Sequence, residues 1–146
     1  MIMETVKMLH SYWAYIVLLV LVLATINALY KTFADKEYEA KDFRISLFTL
    51  ITSHIQLLIG LILYFVSPWF KLWSEMGGEV MGNSVARLYL VEHPFVNILA
   101  IAFITIGYSK HKKKLTSKSK LKTIALFYTI ALVLLLSRIP WNAWLA

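Results

Sequence analysis

The sequence predicts an all-α membrane protein, a bundle of four transmembrane helices, on three observations. Of 146 residues, 60% are apolar and 16% charged, against about 25% charged in an average soluble domain, and the mean hydropathy is +0.68. A soluble domain of this size has too little interior to hide so much apolar surface. The apolar residues fall in four long segments without the alternation of barrel strands. Five Gly and three Pro leave little punctuation, which suits a few long helices better than many short strands. The composition also excludes disorder, a collagen-like fibre and a charged coiled coil. The chain has no cysteine, which excludes a disulfide scaffold, a zinc–thiolate site, an iron–sulfur cluster and covalently attached c-type haem.

A spanning helix needs about 20 apolar residues. The first is expected at about 9–30, a stretch without charge. It outruns the roughly 7–15 apolar residues of a signal peptide, and no small-x-small cleavage site follows, so it reads as retained. The second is expected at about 45–69. The 68–92 loop after it begins Pro68-Trp69-Phe70-Lys71-Leu72-Trp73, a short interfacial helix with Trp at headgroup level. Gly77-Gly78 and Gly82-Asn83 read as turns. The third helix is expected at about 88–109, with a helical lead-in from Ser84. Pro is favoured in a first helical turn, which sets His93 at the membrane boundary; an unbroken helix kinked at Pro94 is the alternative. The fourth is expected at about 121–139, followed by the aromatic anchor Pro140-Trp141-Asn142-Ala143-Trp144. Together they make one domain, 1–146.

The net charge of +7 is concentrated. Loop 109–122 carries seven lysines and no acid, and loop 31–44 carries four basic and four acidic residues. With four spans the two loops share a side, which holds eleven of the fifteen Lys and Arg. The positive-inside rule makes that side cytoplasmic, with both termini and loop 70–87 outward. The lysine run reads as a topogenic, lipid-facing loop rather than a nucleic-acid site.

An ionisable group in a membrane helix is costly and marks function, which singles out His10, His54 and His93. His111, inside the lysine run, reads as a solvated loop residue. At about 1.5 Å per residue, His10 and His93 come within roughly 6 Å of each other in height near the outer boundary, and His54 lies roughly 10 Å lower, near mid-membrane. Axial ligands of one haem need similar heights, so His10 with His93 is the first pair and His54 with His93 the second. His93, Asn97, Ala100, Ile104 and Gly107 share one face. Ser53, Gln56 and Gly60 share another, with His54 about 100° away from Ser53. Arg138 and Arg87 are candidates for haem propionates, since guanidinium matches carboxylate geometry, or partners of Glu92. Trp13 and Tyr12 can pack a ring edge or belong to the interfacial belt. Three imidazoles can bind copper or zinc, but His54 lies too deep to join the other two. No nucleophilic constellation or Gly-rich phosphate loop is present.

The segments Leu9-His10-Ser11-Tyr12-Trp13, Thr52-Ser53-His54-Ile55-Gln56-Leu57-Leu58-Ile59-Gly60, Leu63-Tyr64-Phe65-Val66-Ser67-Pro68-Trp69, Val91-Glu92-His93-Pro94 and Ser137-Arg138-Ile139-Pro140-Trp141 resemble small bacterial four-helix integral membrane proteins loosely labelled cytochrome b-like. The resemblance covers essentially the whole chain. It implies a b-type haem protein of the cytoplasmic (inner) membrane, with His10, His54 and His93 as candidate ligands. In plan the chain is also distantly similar to a half of haem A synthase and to copper-resistance membrane proteins. It lacks a histidine pair per haem across all four helices, which argues against two-haem transfer.

The expectation is therefore one haem b near the outer leaflet and one-electron transfer rather than catalysis. The partners compatible with it are the lipid bilayer, quinone, a respiratory membrane complex and further copies of the chain, and not nucleic acid. The alternatives are a cofactor-free accessory or assembly subunit of a larger membrane complex, and metal or proton transport through His54.

Overall fold

A computed structural model describes residues 1–144 of the chain. It is helical almost throughout. Four helices are long and apolar enough to cross a membrane: α1 (Ile2–Phe33), α2 (Ala40–Val66), the continuous run Ser84–Lys113, and α6 (Ser117–Ser137). The run Ser84–Lys113 consists of α4 (Ser84–Arg87), a π-helical turn (Leu88–Glu92) and α5 (His93–Lys113). Between α2 and α4 lie a 3₁₀ turn (Pro68–Lys71), α3 (Leu72–Met76) and a second 3₁₀ turn (Gly77–Gly82); α7 (Trp141–Trp144) follows α6. The protein is an integral membrane four-helix bundle.

Local chemistry sets the helix ends. Glu39 and Asp42 form a capping box at the start of α2, which satisfies backbone donors that have no partner within the helix. Pro68 keeps the residue before it out of the helical region, so α2 ends and Ser67 turns extended, its hydroxyl accepting from the Trp69 N–H. Asn83 caps α4 through the Val85 and Ala86 N–H groups, and Thr116 caps α6 through Ser119.

The helices outrun their apolar stretches at the lysine-rich end. Segments 31–44 and 109–122, expected as loops, are mostly helix, and the true connections are 34–39 and 114–116. Cations are favoured in the last turn of a helix, where Lys31 and Lys110, Lys112 and Lys113 lie.

Pro94 lies in the first turn of α5, as expected, but the backbone runs into that turn without a break from the π-helical turn before it. Proline has no N–H and crowds the carbonyl four residues back, here Leu90. That carbonyl accepts instead from the Tyr64 hydroxyl at 3.0 Å, and Tyr64 in turn accepts from Trp73 Nε1 at 2.9 Å. The wide turn is closed by the His93 N–H donating to the Leu88 carbonyl. The segment expected as an interfacial helix consists of the short helices of 68–82, folded over a small core of Val80, Ala86 and Leu90.

Around the bundle, α1 packs on α2 and α6, and α5 packs on α6 and more sparsely on α2. This order sets α1 and α5 on one diagonal. The main core is Leu21, Ala24 and Ala28 with Ala100, Ile104 and residues of α6 that include the buried Tyr128. The buried residues of α2 are all polar: Asp42, Ser46, Thr49 and Ser53. Its apolar side chains, such as Phe48, Ile51 and Leu58, face outward. In lipid there is no hydrophobic drive between helices, so small and polar residues take the interface.

Candidate functional site

His10 of α1 and His93 of α5 meet across the diagonal at the end of the bundle opposite the lysines. Their ring centroids are 6.1 Å apart and their planes 81° from parallel. The Nδ1 of His93 lies 2.9 Å from the carbonyl oxygen of Arg138. A carbonyl only accepts, so Nδ1 carries the proton and Nε2 keeps its lone pair. The Nδ1 of His10 is buried and has no hydrogen-bond partner among the described residues. Gln56 donates to the His10 carbonyl at 2.9 Å, which ties this turn of α1 to α2. Gly60 lets the His10 ring lie against the α2 backbone: a Cβ there would sit 3.2 Å from Cε1.

A metal-bound imidazole nitrogen is about 2 Å from the ion, so two rings with centroids roughly 6 Å apart can hold one ion between them. The spacing and the donor set fit that role for His10 and His93. The hollows around His54 and beside Trp69 lie away from the pair.

Glu92 occupies both arginine candidates. Arg87 Nε donates to its Oε2 at 2.7 Å, and Arg138 Nε is 3.5 Å from its Oε1. The remaining bonds of these guanidiniums go to the carbonyls of Met81 and Ser137. Trp13 donates through Nε1 to the Thr52 carbonyl at 2.8 Å, joining α1 to α2. Tyr12 is exposed on α1 and does not pack the pair. Trp144 of the aromatic anchor stacks on Tyr15 at 4.6 Å.

His54 does not join the pair. It lies on the outer surface of α2, exposed, with Nδ1 2.8 Å from the Leu50 carbonyl. It therefore lines no path through the bundle, and the three membrane histidines do not converge. No group of three or more His, Asp or Glu suited to a metal ion occurs among the described residues.

The lysine-rich end holds a cluster of polar residues, several of them buried. His111 is fully buried rather than exposed in a loop. Its Nδ1 faces the Tyr108 carbonyl at 2.6 Å and its Nε2 the Tyr38 hydroxyl at 2.9 Å. Lys31, 5% exposed, donates to Asp42, 1% exposed, at 2.7 Å and to Glu39 at 2.9 Å. Asn27 and the Glu39 N–H also donate to Asp42, each at 2.7 Å. Burial, then the neighbouring Asp42 charge and Tyr108, push the Tyr38 hydroxyl up to about 12. The hydrogen bond from Lys31, then the Lys31 and Lys41 charges, hold the exposed Glu39 carboxyl below its ordinary range.

Periodicity carried a signal for both burials. His111 continues the face Ala100, Ile104, Gly107 by one turn, and Asp42, Ser46 and Thr49 continue the Ser53, Gln56, Gly60 face backwards. No family model, curated protein or solved structure matches this chain.

Proposed function

We propose that this protein is a b-type haem protein of the bacterial cytoplasmic membrane, with His10 and His93 as axial ligands and one-electron transfer as its activity. The observation that supports this reading best is the pair itself: two imidazoles from diagonal helices with centroids 6.1 Å apart, close enough for both to bind one iron. A haem held there supplies one-electron redox chemistry, at a potential tuned by its ligands and their hydrogen bonds.

The chain's own residues prepare that role. The Arg138 carbonyl fixes the His93 tautomer and orientation, as the outer partner of a ligating histidine does. Gly60 leaves room for the His10 ring. Each guanidinium has five N–H donors, so Arg87 and Arg138 keep donors for carboxylates besides Glu92. The lysine-rich end is placed in the cytoplasm by the positive-inside rule, which sets the histidine pair near the outer leaflet. Quinone or a respiratory membrane complex is the proposed redox partner.

Visible spectra of detergent-purified protein, oxidised and dithionite-reduced, with a pyridine haemochrome assay, test this. A sharp reduced alpha band is expected with close to one haem b per chain, lost in His10→Ala and His93→Ala and kept in His54→Ala. Protein that stays colourless when expressed with excess haem overturns it. The second reading, a cofactor-free accessory subunit, then stands; the edge-on contact of His10 and His93 is also a stable packing arrangement for two rings.

A further inference from the structure

We propose that the lipid-facing groove between α2 and α5, at His54 and Thr105, is a binding site for the headgroup of a membrane-soluble hydroquinone. The site deepens the electron-transfer reading by naming its lipid-soluble partner, and it is separate from the His10–His93 pair. The groove is lined by Leu50, Ile51, His54, Ile55, Leu58 and Thr105, where α2 and α5 pack more sparsely than the other neighbouring helices. His54 lies close to the midpoint of α2, far from either end of the helix.

The hydrogen-bond inventory of the groove points to the chemistry of its occupant. His54 Nδ1 is 2.8 Å from the Leu50 carbonyl, so it carries the proton and Nε2 is an acceptor. Among the described residues, the donor near Nε2 is the Thr105 hydroxyl at 3.3 Å, and that hydroxyl is 2.8 Å from the Ile101 carbonyl. One hydroxyl has one hydrogen. It serves Ile101 at the shorter distance, which leaves the imidazole lone pair with only the long contact to Thr105. An unsatisfied acceptor is expensive in lipid.

The occupant must therefore bring an O–H donor, lie among aliphatic walls and reach the middle of the bilayer. Ordinary amphiphiles hold their hydroxyls at headgroup level. A hydroquinone on an isoprenoid tail brings a flat, mostly apolar ring with two hydroxyls into the bilayer interior. One can donate to His54 Nε2, and Thr105 Oγ can accept as well.

The test uses the full chain in lipid nanodiscs and a benzohydroquinone carrying one isoprene unit, with binding read by equilibrium dialysis against empty nanodiscs. Saturable binding of about one molecule per chain is expected. His54→Phe and Thr105→Val should each weaken it about five- to tenfold, the size of one lost hydrogen bond. Both side chains lie at the bundle surface, so retained helicity and elution volume identify a folded variant. The dimethyl ether of the same ring has nearly the same shape and no O–H, and should bind about as weakly as the parent ring binds to His54→Phe.

Absence of saturable binding, equal binding of the ether, or binding unchanged in His54→Phe overturns the proposal. So does a second copy of the chain filling the groove: in this cysteine-free sequence, Ile55→Cys would then form a disulfide dimer in high yield whether or not hydroquinone is present. Dialysis does not read colour. A colourless protein that binds hydroquinone loses the haem reading and keeps this site; a coloured protein that binds none loses this site alone.

Discussion

Lys31 and Asp42 count as two loop charges in a charge inventory, yet in the folded chain they form a buried ion pair. Taking one partner from a buried pair strands the other charge and typically costs about 3–5 kcal/mol. Asp42→Leu should therefore lower the thermal unfolding midpoint in detergent strongly. The double variant Lys31→Met/Asp42→Leu should lower it less, because no charge is stranded. A double variant no better than the single would show that the Asn27 and Glu39 bonds to Asp42 carry the effect. Glu39, the exposed arm of the same cluster, adds a pH dependence. Its folded value lies below the ordinary carboxylate value of about 4.3. Its stabilising contribution is therefore present above that ordinary value and is lost as pH falls through the lower folded one. Glu39→Gln should remove this part of the acid sensitivity, read as the unfolding midpoint against pH.

Between elements, two glycines do different work. Gly60 admits the His10 ring, whereas Gly107 sets the approach of α5 to α6. A Cβ at Gly107 would overlap the Phe127 Cβ, an atom next to the backbone that cannot swing aside. Gly107→Ala must push two helices apart, and an overpacking cost of about 1–3 kcal/mol is expected. It should appear as a lower resistance to SDS or heat, with α1–α2 packing unchanged. The run Ser84–Lys113 shows how one residue is answered by distant ones. Pro94 frees the Leu90 carbonyl, and Tyr64 with Trp73 behind it satisfies that carbonyl, so the 68–82 segment is tied to the turn that leads into His93.

Over the whole molecule, the helix order around the bundle puts α1 and α5 on a diagonal and turns His10 and His93 toward each other. The same order leaves the α2–α5 seam open to lipid at His54. Orientation is testable because the sequence has no cysteine. In intact cells, Glu79→Cys should react with a membrane-impermeant maleimide and Lys114→Cys should not. The reverse pattern would invert the proposed topology and move the histidine pair to the inner leaflet.

The sequence by itself determined that there are four spans, because the free energy of placing a helix in lipid depends on the length and polarity of that segment alone. It also determined which histidines share a height, since rise along a helix is nearly constant. Tertiary packing decided which faces meet. It turned Asp42, Ser46, Thr49 and Ser53 inward, buried His111 under Tyr38 and Tyr108, set both arginines on Glu92, and left His54 on the outer surface. No single segment holds that information. The rotation of each helix depends on the small and polar surfaces its neighbours offer, and in lipid the gain comes from close packing and satisfied hydrogen bonds rather than from hiding apolar residues.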